Sequence, residues 1–186
     1  MADPGPAPGA DPTAAPGADP TARDGAASPP YVAVVGASRP TAAQAQAAET
    51  IGSQLALAGA IVINGGGSGI MAAASKGAAQ AGGTVVGILP GTDRAAANEW
   101  VGIALPTGLG ELRNGLIVRA ADVVLAVGGA YGTLSEVALA LATGVPVIGY
   151  DTWTIPGIEL AASPDLAVTM ALERASAAPA GVDSRD

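Results

Sequence analysis

Val123-Val-Leu-Ala-Val127-Gly128-Gly129-Ala130-Tyr131-Gly132-Thr133-Leu134-Ser135-Glu136, running on through Val137 to Thr143, is the stretch on which the fold turns. Five apolar residues end in a glycine pair, and a helix-forming run follows at once. That order is a buried strand, a tight turn and a helix whose first N–H groups have no carbonyl partner of their own. Such a turn is a ready anion site, because those N–H groups and the helix dipole both point at it. The segment also places one acid, Glu136, close to where a ligand would lie.

The same pattern recurs on both sides of this stretch. Apolar strands are expected over 31–35, 60–63, 84–89, 101–105, 123–127 and 145–150. Helices are expected over 41–58 (Thr41 as N-cap), from after Gly69 to about Ala81, and over 109–120, 133–143 and 164–175. Val- and Ile-rich runs alternating with helices predict an α/β fold, a doubly wound parallel sheet of Rossmann-like type with helices on both faces, in a single domain. The domain is expected over 31–177. Residues 1–30 are expected to be a disordered Pro/Gly/Ala-rich tail, since Ala7-Pro-Gly-Ala-Asp-Pro-Thr-Ala14 repeats word for word as Ala15 to Ala22 and no bulky apolar residue precedes Tyr31. Residues 178–186 are expected to be a disordered end. The tail has neither the basic start nor the apolar run of a secretion signal.

Composition removes whole classes of function. The chain holds no histidine and no cysteine, which excludes Ser-His-Asp and Cys-His nucleophilic machinery and the usual transition-metal ligands, so no metal site is expected. The formal charge is −8, and no basic cluster relieves it, which argues against nucleic acid as a partner. The long apolar stretch from Ala120 to Tyr150 is broken by Asp122, Glu136, glycines and a proline, so a buried sheet is expected there and not a membrane span. The location expected is cytoplasmic.

In doubly wound sheets, ligands bind beyond the carboxyl ends of the strands. Three such ends carry small or polar residues: Gly36-Ala37-Ser38-Arg39, Asn64-Gly65-Gly66-Gly67-Ser68-Gly69, and the Gly128 to Thr133 turn. The Asn64 loop lacks the Gly-Lys-Ser/Thr ending of an ATPase P-loop and a regular GxGxxG, and no acid follows its strand to hold a ribose. It serves either as a phosphate cradle or as a tight connection that needs glycine for geometry. Glu136 has two readings as well. Thr133-Leu134-Ser135-Glu136 matches a capping box, with Thr133 at N-cap and Glu136 reaching back, and the helix field favours a carboxylate there by about 0.3–1 kcal/mol. The same carboxylate could face a ligand. Arg113, in the first turns of the helix expected from Leu109, sits against the helix dipole, so either a ligand or a surface ion pair with Glu111 or another acid accounts for it. The candidate binding set is Gly36, Ser38, Arg39, Gly65, Gly66, Gly67, Ser68, Arg113, Gly128, Gly129, Tyr131, Gly132, Thr133 and Glu136.

Gly65-Gly66-Gly67 before a helix, Arg113 before a buried strand, and Gly128-Gly129-Ala130-Tyr131-Gly132-Thr133-x-x-Glu136 together resemble the LOG-like group of Rossmann-type proteins. That group carries PGGxGTxxE and is often mislabelled lysine decarboxylase. The variant present here is most similar to the molybdenum cofactor carrier-like branch. The resemblance implies binding of a small phosphorylated ligand, a nucleotide or a pterin such as the molybdenum cofactor. It also implies a homodimer or larger homo-oligomer, for which the helices Leu116 to Val118 and Val137 to Ala142 offer apolar surface. The alternative it carries is a LOG-type nucleoside 5′-monophosphate phosphoribohydrolase, with Arg113 and Glu136 as catalytic residues. The carboxylate would then stabilise positive charge on the ribose as the N-glycosidic bond breaks. Gly128 stands where the enzymes carry proline, Ser135 replaces the first of a pair of acids, and Asn114 stands where an Arg-Lys pair is common. These departures weigh against turnover and towards binding.

Overall fold

The computed structural model describes residues 28–177. The tail expected before Tyr31 lies outside the described residues except for Ser28 to Pro30, and the expected C-terminal end lies outside them entirely. Seven strands form one sheet, all neighbouring pairs parallel: β1 (Tyr31–Gly36), β2 (Ile61–Asn64), β3 (Val85–Leu89), β4 (Ile103–Pro106), β5 (Val123–Val127), β6 (Val147–Tyr150) and β7 (Ile158–Leu160). Five α-helices connect and follow them: α1 (Ala42–Leu57), α2 (Ile70–Gln80), α3 (Asn114–Arg119), α4 (Tyr131–Ala142) and α5 (Pro164–Ala177).

Side chains of successive strand residues point to opposite faces, and both faces are covered. Val32 and Val34 of β1 pack with Ile51 and Leu55 of α1, Ile70 and Ala74 of α2, and Ala167 and Val168 of α5. Ala33 and Val35 pack on the other side with Ile117 and Val118 of α3 and Val137 and Ala140 of α4. This two-sided burial is why the strands are apolar throughout and do not alternate. The helices on the first face are close-packed. A Cβ at Gly77 in α2 would overlap the Glu49 carbonyl of α1, and one at Gly52 in α1 would overlap that of Ala74.

The strand order is β4-β3-β2-β1-β5-β6-β7. The chain steps outward from β1 to β4, then returns to lay β5 against the other side of β1. The reversal between β1 and β5 is the topological switch point where such sheets open a crevice. The expected Thr41 cap forms: its Oγ1 accepts from the Gln44 N–H, and Gln44 Oε1 accepts from the Thr41 N–H.

Three local expectations need correction. Helix α4 begins at Tyr131 and not at Thr133, with Ala130 as its N-cap. Thr133 is therefore the third helical residue, and its Oγ1 accepts from the Ala130 N–H at 3.4 Å. Glu136 lies beyond the first turn and caps nothing. Next, the expected helix from Leu109 is a 3-10 turn, Gly110–Arg113, leading into a short α3. Gly108 and Gly110 both adopt positive φ there, which breaks the start of a regular helix. Last, β7 escaped the sequence reading because three residues at a sheet edge are too few to show a period.

Two glycine substitutions test the packing. Gly77→Ala should lower stability by about 1–3 kcal/mol, since the clash is with backbone that cannot rotate away. Gly115→Ala, where a Cβ meets nothing within 4 Å, should be neutral or slightly stabilising. Urea unfolding of both variants reads the contrast, and equal midpoints would contradict the packing account.

Candidate functional site

The ends of β1 and β5 and the turn leading into α3 enclose a cleft of about 230 Å³. It is lined by Gly36, Ser38, Met71, Glu111, Arg113, Asn114, Ala130, Gly132, Thr133 and Glu136. Six of the expected site residues thus meet in one place. Arg113 arrives from the 3-10 turn, Glu136 from the second turn of α4, and Gly132 and Thr133 from its first turn.

Arg113 dominates the cleft. It is only 7% exposed, yet no hydrogen bond satisfies its Nε. Its one ion pair among the described residues is with Glu136, Nη1 to Oε1 at 3.9 Å, beyond hydrogen-bonding range. Of the acids that the ion-pair reading allowed, Glu136 and not Glu111 is the partner, although Glu111 is also in the cleft wall, and the pair is buried rather than on the surface. A buried guanidinium without close hydrogen-bonded compensation is costly to the apo protein. Gly65 makes its position possible: a Cβ there would lie 2.6 Å from Arg113 Nη2.

Glu136, likewise 7% exposed, is pushed up from 4.5 to about 7. Burial is the main cause, the Arg113 charge works against it, and the Glu111 charge adds to it. Near neutral pH the cleft therefore holds a fixed positive charge beside a carboxyl poised between its two forms.

The remaining expected residues stand elsewhere. Gly66 donates its N–H to Asn64 Oδ1 at 2.8 Å, and Asn98 takes the carbonyls of Gly66 and Gly67 through its side-chain amide. The first N–H of α2, from Ile70, goes to the Ala37 carbonyl. The Asn64 loop is thus largely occupied by internal bonds, and Gly65, Gly66, Gly67 and Ser68 do not line the cleft. Gly128, at φ +59°, lies under the Gln44 side chain, and Gly129 lies against the Trp153 ring. Gln44 is itself held by Asp151 at 2.9 Å. Arg39 and Tyr131 are exposed and outside the cleft lining.

Four lining residues were not among the candidates: Met71, Glu111, Asn114 and Ala130. Asn114 had a signal in the sequence, an amide beside Arg113 at the head of an apolar helix. Its partner is not visible there, because Asn114 Nδ2 donates to Ser135 Oγ at 2.8 Å across 21 residues.

A doubly wound parallel sheet with an arginine-bearing cleft at its switch point places the chain in the Rossmann-like class. The SLOG cluster4 family profile matches residues 29–176, and the chain belongs to that family. An uncharacterized protein of Archaeoglobus fulgidus is 40% identical over 113 residues, which span 61% of this chain and 74% of that one. Among solved structures, the molybdenum cofactor binding protein of Rippkaea orientalis is 34% identical with a TM-score of 0.75, covering 80% of this chain and 98% of its own. The molybdenum cofactor carrier protein of Chlamydomonas reinhardtii is 31% identical with a TM-score of 0.72, covering 80% of this chain and 99% of its own. The resemblance to the carrier-like branch is borne out by these neighbours. No helix of the described residues is long and apolar enough to cross a membrane.

The Glu136 carboxyl yields a signed pH prediction. Between pH 4.5 and 7 the unfolded chain releases a proton that the folded cleft retains, so stability falls as pH rises. The loss totals about 3 kcal/mol and is complete above pH 7. Urea unfolding of wild type and Glu136→Gln at pH 4.5 and 7.5 isolates this contribution. The wild type should lose more stability than the variant over that interval, and equal losses would refute the buried, raised carboxyl.

Proposed function

We propose that the cleft binds the phosphate end of a small anionic cofactor, carried and not turned over, with a pterin of the molybdenum cofactor type as the foremost candidate. The observation that carries this reading is the buried Arg113 guanidinium, whose Nε lacks any partner and whose nearest carboxylate is 3.9 Å away. An anion placed there completes its hydrogen bonding in a low-dielectric setting, where charge-assisted bonds are strong. Gly132 and Thr133, in the first turn of α4, line the same cleft, and the unpaired N–H groups and positive dipole end of a helix N-terminus favour an anion nearby. Ser38 adds a hydroxyl, and Gly36 leaves room between β1 and β5.

A cleft of about 230 Å³ is below the roughly 300–1,000 Å³ usual for a whole ligand. It suits the anionic end of a larger molecule whose remainder lies outside. An incoming anion also disfavours ionised Glu136, so binding draws a proton onto that carboxyl and strengthens as pH falls through 7. Gly65, Gly128 and Gly129 take part as spacers for Arg113, Gln44 and Trp153. A cytoplasmic location accompanies this reading.

Binding of molybdenum cofactor released from a donor enzyme, followed by oxidation to its fluorescent pterin, tests the proposal. Wild type should retain the pterin through gel filtration, and Arg113→Gln should retain at least tenfold less. Retention unchanged in Arg113→Gln would overturn the site assignment. Release of free base from AMP by wild type, lost in Glu136→Gln, would replace the carrier with the phosphoribohydrolase.

The homo-oligomer belongs to the same proposal, with its surface redrawn. Val118 and Val137, expected to face a partner, are buried against the sheet. The exposed apolar face is formed by Leu112 (81% exposed) and Leu116 beside Tyr131 (92% exposed), Leu134 and Leu139 of α4. Tyr131, Leu134 and Leu139 lie on α4, Leu116 on α3 and Leu112 in the 3-10 turn before it, and α3 packs against α4. Sedimentation at micromolar concentration should show a dimer or larger species that Leu112→Glu with Leu139→Glu converts to monomer. A monomeric wild type would remove the oligomer from the proposal.

A further inference from the structure

We infer that Asn114 is a second ligand-reading group of the cleft, its Oδ1 accepting a hydrogen bond from a hydroxyl or N–H next to the anion held by Arg113. The inference rests on the anion-binding reading above and adds to it a requirement on the ligand: a donor group beside the phosphate. Asn114 lines the cleft and is 4% exposed, and its Oδ1 is buried with no hydrogen-bond partner. An amide oxygen left bare in that position loses its water without gaining a replacement.

The orientation of the amide follows from its neighbour. Ser135 Oγ donates to the Gly132 carbonyl at 2.7 Å, and that carbonyl can only accept. The hydroxyl proton is thereby committed, so Ser135 Oγ can only accept from Asn114. The NH₂ side of the amide must face Ser135, at 2.8 Å, and the oxygen side is the one left over. Ser135 is therefore a positioning residue, acting through Asn114. The chain of bonds ends on Gly132, whose turn also lines the cleft, so the α4 N-terminus and the Asn114 oxygen are held in one fixed relation. Arg113 and Asn114 are adjacent in sequence. Together they offer an unmet donor, Nε, and an unmet acceptor, Oδ1, which suits a phosphate ester carrying a donor nearby better than a bare anion.

Calorimetric titration at pH 7.5 with three probes tests this. Methyl phosphate supplies the anion alone, ribose 5-phosphate adds hydroxyl donors, and a hydroxymethylpterin phosphate ester adds ring N–H donors. In wild type at least one ester should bind about tenfold more tightly than methyl phosphate, and which one does so identifies the donor. Asn114→Leu should erase that margin, bringing the affinity of the tighter ester down to that of methyl phosphate in the same variant. Ser135→Ala, at an exposed position that folding tolerates, should reduce the margin by letting the amide rotate, and Ser135→Thr should restore it. A margin that survives both Asn114→Leu and Ser135→Ala, or no margin in wild type, overturns the inference while leaving anion binding intact. Should Asn114→Leu fail to fold, the Ser135 pair decides alone. Methyl phosphate binding that is absent, or equal in wild type and Arg113→Gln, would instead mean that the underlying anion reading has failed.

Discussion

Because β1 pairs with β5 from Val32↔Val123 through Gly36↔Val127, the end of the first strand lies beside the end of a strand some ninety residues later. That pairing reverses the strand order and opens a crevice at the carboxyl ends of the two strands. The crevice, the approach of the α4 N-terminus and the entry of Arg113 from the preceding turn all depend on it. Parallel pairing in turn requires a crossover between every pair of strands. Apolar layers therefore cover both faces, and polar side chains concentrate at the strand ends.

The seam concentrates an unusual electrostatic arrangement. Arg113 and Glu136 are both buried, but they stand too far apart to hydrogen-bond, and burial leaves the carboxyl titrating near neutrality. A tight ion pair would have closed the site. Held at 3.9 Å, the pair leaves the guanidinium short of partners and the acid able to take up a proton when another anion arrives. Asn114 and Ser135 stand in the wall as a neutral hydrogen-bonded pair, so the site gains orientation there without further charge.

Much of the fold was legible in the sequence for a physical reason. Strands buried on both faces must be apolar at every position, and Tyr31–Gly36, Val85–Leu89 and Val123–Val127 announce themselves that way. Thr41 with Gln44 announces its cap. The turn at 128–133 was legible as a site, but its glycines were not legible as spacers. Gly65 is small because Arg113 lies over it, and Gly129 because Trp153 does; neither neighbour is near in sequence. The capping-box reading of Glu136 failed because Thr133-Leu134-Ser135-Glu136 satisfies a local pattern, while the helix start is set two residues earlier, at Tyr131.

Sequence alone determined the α/β class, the parallel sheet, the absence of histidine and cysteine chemistry, and the importance of Arg113 and the Gly128 to Glu136 segment. Each of these follows from residue type or from local periodicity. Tertiary structure decided which glycine loop opens onto the cleft and which is tied up by Asn64 and Asn98. It also decided how far Arg113 stands from Glu136, and that Asn114 answers to Ser135. Those outcomes depend on distances between segments that only the packed sheet brings together, and burial, which sets the charge on Glu136, exists only once the packing is complete.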